Sequence, residues 1–409
     1  MEVKNMSGIG YKAKGALALA LSMALFSTTL FADTRAYAAQ SAAKAEENIL
    51  PELTYEAALE KAKKHSPDLR DIADTAEFLQ KTKEDLWDRV GYFDSPDYDY
   101  QRWVNDGWYM VTSSAFSTTT SMKQNSYGEA ITKLGLEAGV KNYFITILSQ
   151  EDNLELMKKN MELQQKLYKQ GKTKYQLGLI SKFDLDKLET ETNNLADSIT
   201  LVESALEQIY TQFNSLLGES PEKRFQLVYD VSYEPFTLNQ TMDQYINGKV
   251  NASNTLKILE LNVESAKFKK NYLPESSTGS EANQNNLSYD QAKRSLKTSK
   301  DDFALAIRNG YNAILQKETE YATAQAALKQ AEADYHKAEV NYQAGNITAL
   351  TLEQAQMGVD KAKNEIQQVV YDHDLAIFNF QNPDLLSGGA GASGASGKSG
   401  KSGSGSEGK

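Results

Sequence analysis

Apolar side chains recur in steps of three and four along two long stretches of the chain. In the first, Leu185, Leu188, Leu195, Ile199, Val202, Leu206, Ile209, Phe213 and Leu216 follow one another, with Thr192 the single polar member. The second places Leu352, Ala355, Val359, Ala362, Ile366, Val369, His373, Ala376 and Phe380 in the same register. A mean period of 3.5 held over four heptads predicts a left-handed coiled-coil seam. Seams of the same period run from Val140 to Tyr175 and from Ile307 to Tyr342, and a glycine turn separates each from its successor. The pattern predicts an all-α chain of long antiparallel coiled-coil hairpins, with arms of about 35–45 residues and about 50–70 Å.

The two stretches are copies. Adding 167 to a residue number carries 140–213 onto 307–380 without a gap. Val140, Phe144, Ile147, Glu151, Leu154, Met161 and Tyr168 fall on Ile307, Tyr311, Ile314, Glu318, Tyr321, Leu328 and Tyr335. Upstream of each hairpin stands a shorter related segment. Leu53-Thr54-Tyr55-Glu56-Ala57-Ala58-Leu59 resembles Phe236-Thr237-Leu238-Asn239-Gln240-Thr241-Met242, each reading as a threonine cap before a helix. Ser66-Pro67-Asp68-Leu69 and Ser253-Asn254-Thr255-Leu256 then restart a second helix. A narrow seam buries little in one hairpin, so the copies are expected to pack on each other or on further chains.

Composition agrees with rods. The 409 residues hold seven prolines, none within 97–220 or 275–382, and nine of the 25 glycines lie in the last 23 residues. Helix breakers are thus scarce in the body. There is no cysteine, which excludes disulfides, thiolate metal sites and a cysteine nucleophile. A net charge of -11 argues against non-specific binding to nucleic acid or to an anionic membrane surface.

Lys4, Lys12 and Lys14 precede an apolar run from Gly15 to Phe31, and Ala36-Tyr37-Ala38 supplies a small-x-small cleavage pattern. Residues 1–38 read as a secretory signal peptide, with an uncleaved anchor as the alternative. Cleavage would take the net charge from -11 to -13. Residues 39–50 read as a linker, 51–220 as the first helical repeat, 221–235 as a connector, 236–383 as the second repeat and 384–409 as a disordered Gly/Ser/Lys tail. Gly397-Lys398-Ser399 and Gly400-Lys401-Ser402 in that tail lack the spacing and flanking elements of a phosphate-binding loop. The only histidines, His65, His336 and His373, form no metal spacing, and no convergent catalytic set stands out. No cofactor, no metal site and no enzymatic activity are expected.

The paired openings Leu53 to Leu69 and Phe236 to Leu256 resemble the TolC-type outer-membrane efflux family. So do the tip motifs Tyr175-x-x-Gly178-x-Ile180-Ser181-x-x-Asp184-Leu185 and Tyr342-x-x-Gly345-x-Ile347-Thr348-x-x-x-Leu352, and the closing Leu216-Leu217-Gly218. The resemblance covers about residues 51–383. It implies a homotrimeric helical tunnel that docks its hairpin tips on a membrane-fusion adaptor and an inner-membrane pump, with no nucleic acid involved. The tip residues it singles out are Gly178, Leu179, Ile180, Ser181, Asp184, Gly345, Asn346, Ile347 and Thr348, with Leu179 and Ile180, like Asn346 and Ile347, expected to face outward.

Two departures mark this chain. The family's barrel strands should lie between the rising and long helices, and a membrane strand needs about ten residues of alternating polarity. Leu273 to Asn286 is polar throughout and reads as a loop. Tyr92 to Ser126, with Trp103, Trp108 and Tyr109, lacks paired alternating runs and reads as a lid or partner-binding excursion, or as aromatic core packing. A barrel-less member is expected. The second departure is Thr351 and Gln354 where the family often has aspartates that ring the tunnel mouth, although Asp184 and Asp186 remain in the first copy. The expected function is an extracytoplasmic, exported helical duct or docking component of an efflux or secretion system in the cell envelope. A secreted coiled-coil spacer without conduction is the alternative.

Overall fold

The computed structural model describes residues 50–93, 108–273 and 277–387. Along the chain come β1 (Glu52–Thr54), α1 (Tyr55–His65), α2 (Pro67–Phe93), α3 (Trp108–Gln176), α4 (Lys182–Leu217) and β2 (Gln226–Val228). The second half follows with α5 (Met242–Ala252), α6 (Asn254–Asn271), α7 (Gly279–Gln343), α8 (Ala349–Gln381) and α9 (Asp384–Ser387). Residues 1–49, which hold the expected signal peptide and most of the linker, lie outside the described residues, as do 388–409 of the tail.

Side-chain caps start the helices where the two copies correspond. Thr54 and Thr241 cap α1 and α5, and Ser66 and Ser253 accept from Leu69 N and Leu256 N at the starts of α2 and α6. Each pair is 187 residues apart, whereas the hairpins repeat at 167. The 20-residue difference is shared among a longer α2, a longer α2–α3 connection and an earlier start of α3 in the first copy. This corrects the sequence alignment of Thr54 with Thr237. The true partner is Thr241, whose capping box with Gln244 supplies two hydrogen bonds that Thr237 cannot match.

The long helices form one layer. α4 packs on α3, α3 on α8, and α8 on α7; in the other half of the layer α2 packs on α3, α3 on α6, and α6 on α7. Thus α3 is flanked on both sides, while α7 is an edge at one border and α2 with α4 at the other. Two equivalent cores pin the short helices to the layer. The first gathers Leu53, Ala58, Ala62, Val140, Phe144, Ile147, Tyr210 and Phe213, the second Ile246, Leu256, Phe303, Ile307, Ile314 and Phe380. Val140, Ile147 and Phe213 map onto Ile307, Ile314 and Phe380, so the repeat seen in sequence is a repeat of core positions.

Several expectations change. The outgoing arms α3 and α7 are 69 and 65 residues, or about 100 Å, while the return arms α4 and α8 are 36 and 33. The difference arises because Trp108 to Ser126, read as a lid or excursion, is the start of α3, where Phe116 stacks on Phe268 of α6 at 4.3 Å. Trp103 lies outside the described residues. Likewise 279–286 of the supposed loop is helix, because Thr278 and Glu281 form a capping box. The tail begins later than 384, since Asp384 accepts hydrogen bonds from Asn254 N at 3.0 Å and from Ser253 Oγ, anchoring α9 to the start of α6. The all-α chain also carries one parallel strand pair, with Leu53 opposite Leu227.

No barrel is present among the described residues. Only 14 residues join α2 to α3 and seven join α6 to α7, and two membrane strands with a turn need more than about 20.

Candidate functional site

Each hairpin ends in the same backbone turn. At the first tip Leu179 N donates to Lys174 O at 2.8 Å and Gly178 N to Tyr175 O at 2.9 Å. At the second, Asn346 N donates to Asn341 O at 2.8 Å and Gly345 N to Tyr342 O at 3.0 Å. This is the Schellman arrangement, which satisfies the last carbonyls of a helix and needs a residue at positive φ. Gly178 and Gly345 supply it, at φ 72° and 74°.

The return helices restart three residues later. Ser181 caps α4 in a capping box with Asp184: Asp184 N donates to Ser181 Oγ at 3.1 Å, and Ser181 N donates to Asp184 Oδ2 at 3.1 Å. Those hydrogen bonds from Ser181 hold the Asp184 carboxyl below its ordinary value. Its Oδ2 is thus engaged in closing the turn. Thr348 caps α8 by accepting from Thr351 N at 3.3 Å, with no carboxylate at the corresponding place. Close packing below the first tip depends on Gly171, where a Cβ would stand 2.6 Å from Leu188 Cδ1.

The tips differ from the sequence expectation in one respect. Leu179 and Asn346 are exposed, but Ile180 and Ile347 are half-buried, because each turns back towards its own hairpin while the preceding residue points out. The Ile180 side chain lies beside Gly171. Leu177, Leu179 and Phe183 are the protruding apolar groups of the first tip, at 68, 69 and 77% exposure. Sequence reasoning missed Leu177 and Phe183, which sit in the tip motif at positions it treated as spacers.

It also missed the lateral edges. Large exposed apolar side chains line α7 at Leu287, Leu305, Leu315, Val340 and Tyr342, and the opposite border at Phe78, Phe183 and Leu201. The flanked helices carry few: Met110 and Tyr175 near the ends of α3, and none on α8. A seam count along each helix finds the face turned to the nearest partner, and of these residues it takes in only Tyr342.

No protein-family profile and no curated protein sequence matches the chain. Solved structures do. The outer-membrane protein VceC of Vibrio cholerae superposes with a TM-score of 0.56 at 13% identity, covering 80% of this chain and 95% of that one. The Campylobacter jejuni outer-membrane channel CmeC gives 0.52 at 13%, with 79% and 86% covered. The fold is that of the TolC-type outer-membrane channels. MtrE of Neisseria gonorrhoeae, an outer-membrane channel in its open state, gives 0.51 at 13%, covering 81% and 88%. The TolC-like chain thus shares the helical fold of these channels, and no barrel is present among its described residues.

Proposed function

We propose that the chain is an extracytoplasmic helical duct of an efflux or secretion system in the cell envelope, built from several copies. The observation that carries this reading is the placement of exposed apolar groups. A layer of helices with apolar residues on both free edges and none on α8 inside it suits closure edge to edge with further copies of itself. The assembly would be a homotrimer, as the family resemblance implies. The tips, Gly178, Leu179, Ile180, Ser181 and Asp184 in one and Gly345, Asn346, Ile347 and Thr348 in the other, are the ends that would engage a membrane-fusion adaptor and, through it, a pump. No covalent step is involved.

The mass of the secreted chain purified without detergent tests the duct. A closed oligomer supports it, and a monomer at micromolar concentration favours the spacer reading instead. Photo-crosslinkers at Leu179 and Asn346 in living cells test the adaptor. Failure to trap an envelope adaptor at either site removes that part.

A further inference from the structure

The two tips share a backbone and differ in everything they present. Residues 169–187 around the first hold five lysines, Lys169, Lys172, Lys174, Lys182 and Lys187, against Asp184 and Asp186. Their net charge is +3 on a chain of -11. The equivalent 336–354 hold Lys337, Glu339 and Glu353, a net of -1, and the thirteen residues from Val340 to Leu352 are uncharged. Among the described residues Lys169, Lys174 and Lys182 have no carboxylate at ion-pair distance, Lys172 rests over the Tyr168 ring, and Lys187 reaches Glu191 at 4.0 Å. Asp184 is occupied by its cap. The first tip is therefore a cluster of Leu177, Leu179 and Phe183 ringed by exposed ammonium groups.

It also projects farther. Three contacts tie α3 to the antiparallel α8: Lys141 to Asp374, Gln368 to the Ser149 carbonyl and Lys166 to Glu353. Counting along each helix, Gly178 lies 37, 29 and 12 residues beyond them, and Gly345 only 29, 23 and 8. The excess of four to eight residues sets the first tip about 6–12 Å ahead.

We propose that the first tip docks end-on against an anionic bilayer. Leu177, Leu179 and Phe183 enter the boundary between headgroups and acyl chains, about 5–10 Å deep, while the lysines meet lipid phosphates. The projection matches that depth, so the second tip stays in water, free for a hydrogen-bonding protein partner. The acidic body does not oppose the contact. Screening over about 8 Å at physiological salt leaves the tip to respond to its own charge. This departs from the duct reading at the first tip, where a bilayer takes the place given there to an adaptor, and leaves the second tip for a protein partner.

The chain lacks cysteine, so Leu179→Cys and Asn346→Cys can each carry a single environment-sensitive nitrobenzoxadiazole dye. The secreted form is mixed with vesicles of phosphatidylcholine alone or with one-quarter phosphatidylglycerol. Binding is expected only to the anionic vesicles, with a blue shift of the dye at 179 and none at 346. Lys174→Glu with Lys182→Glu should weaken flotation at least tenfold at unchanged helicity, and Leu179→Ser, which keeps every charge, should weaken it severalfold. Absence of anionic binding, an equal shift at 346, or undiminished binding by the lysine variant overturns the proposal. Equal binding to polyglutamate would assign the tip to an acidic protein and overturn it too. Trapping of an adaptor with no vesicle binding would leave the duct reading standing and this inference refuted.

Discussion

Lys141 of the first repeat and Asp374 of the second form an ion pair at 2.8 Å, with their side chains 11% and 26% exposed. The Lys141 ammonium also lies 4.8 Å from the centre of the Phe378 ring, and the Tyr229 hydroxyl donates to the same carboxylate. One carboxylate therefore joins α3, α8 and the residue that directly follows β2. Removing it leaves an ammonium enclosed among rings without its partner. Asp374→Ala should cost about 2–4 kcal/mol, read as a fall in the denaturant midpoint. Lys141→Met with Asp374→Leu, which removes both charges, should recover most of that loss. If the double variant is no more stable than Asp374→Ala, the pair is not the tie described.

Glu151 of α3, held by Tyr210 of α4, makes stability depend on pH. Burial raises its carboxyl above the ordinary value, against the lowering effect of the Tyr210 hydroxyl, which donates at 2.7 Å. Asp152 beside it is raised by burial as well. A carboxyl whose pKa is raised on folding adds stability below its unfolded value, and that contribution is lost as pH rises through the folded value. Glu151→Gln keeps an acceptor for Tyr210 and removes the buried charge. Its melting temperature should exceed that of the parent at pH 7, and the gap should close towards pH 4. A gap that widens on acidification contradicts the assignment.

Two kinds of glycine should respond with opposite sign. Gly178 and Gly345 sit at positive φ, where a Cβ costs about 1–2 kcal/mol. Gly178→Ala and Gly345→Ala should therefore lower the melting temperature despite the open space around both. Gly128 is inside α3 with nothing within 4 Å of an added Cβ, so Gly128→Ala should stabilise by about 0.5–1 kcal/mol. Equal effects at the three sites would mean that the tip turns relax at no cost.

Those glycines mark what the chain reveals in one dimension. The tips were legible because a Schellman turn demands glycine at a fixed place and the 167-residue repeat shows it twice. The seams were legible because burial against one neighbour leaves a 3.5-residue period, and Val140, Phe213, Ile307 and Phe380 are as buried as the period requires. Trp108 to Ser126 was not legible as helix, since its run of serines and threonines favours other conformations in isolation and only packing against α2 and α6 settles it. Lys141 with Asp374 could not be read either. A pair 233 residues apart, at positions that look like any solvated helix face, becomes a contact only when α3 meets α8. The bare edges share that cause, because exposure depends on which helix has no neighbour.

The edges lead to a test of assembly that mass alone does not provide. If α7 of one copy meets the α2 and α4 border of the next, the interface is head-to-tail, and each copy offers two different surfaces. Glutamates at exposed positions should leave the fold intact while placing unpaired charge in a contact. Leu305→Glu with Leu315→Glu blocks the α7 edge, and Phe78→Glu with Leu201→Glu blocks the other; all four positions are at least 41% exposed. Each double variant should be monomeric, with the helicity of the parent. Mixed in equal amounts they should form a heterodimer and nothing larger, because one intact α7 edge can meet one intact α4 edge and the outer pair stays blocked. The alternative is an interface between like edges. In that case the variant altered at Phe78 and Leu201 would still pair through α7 on its own, and mixing would add no new species, so light scattering on the three samples decides between them.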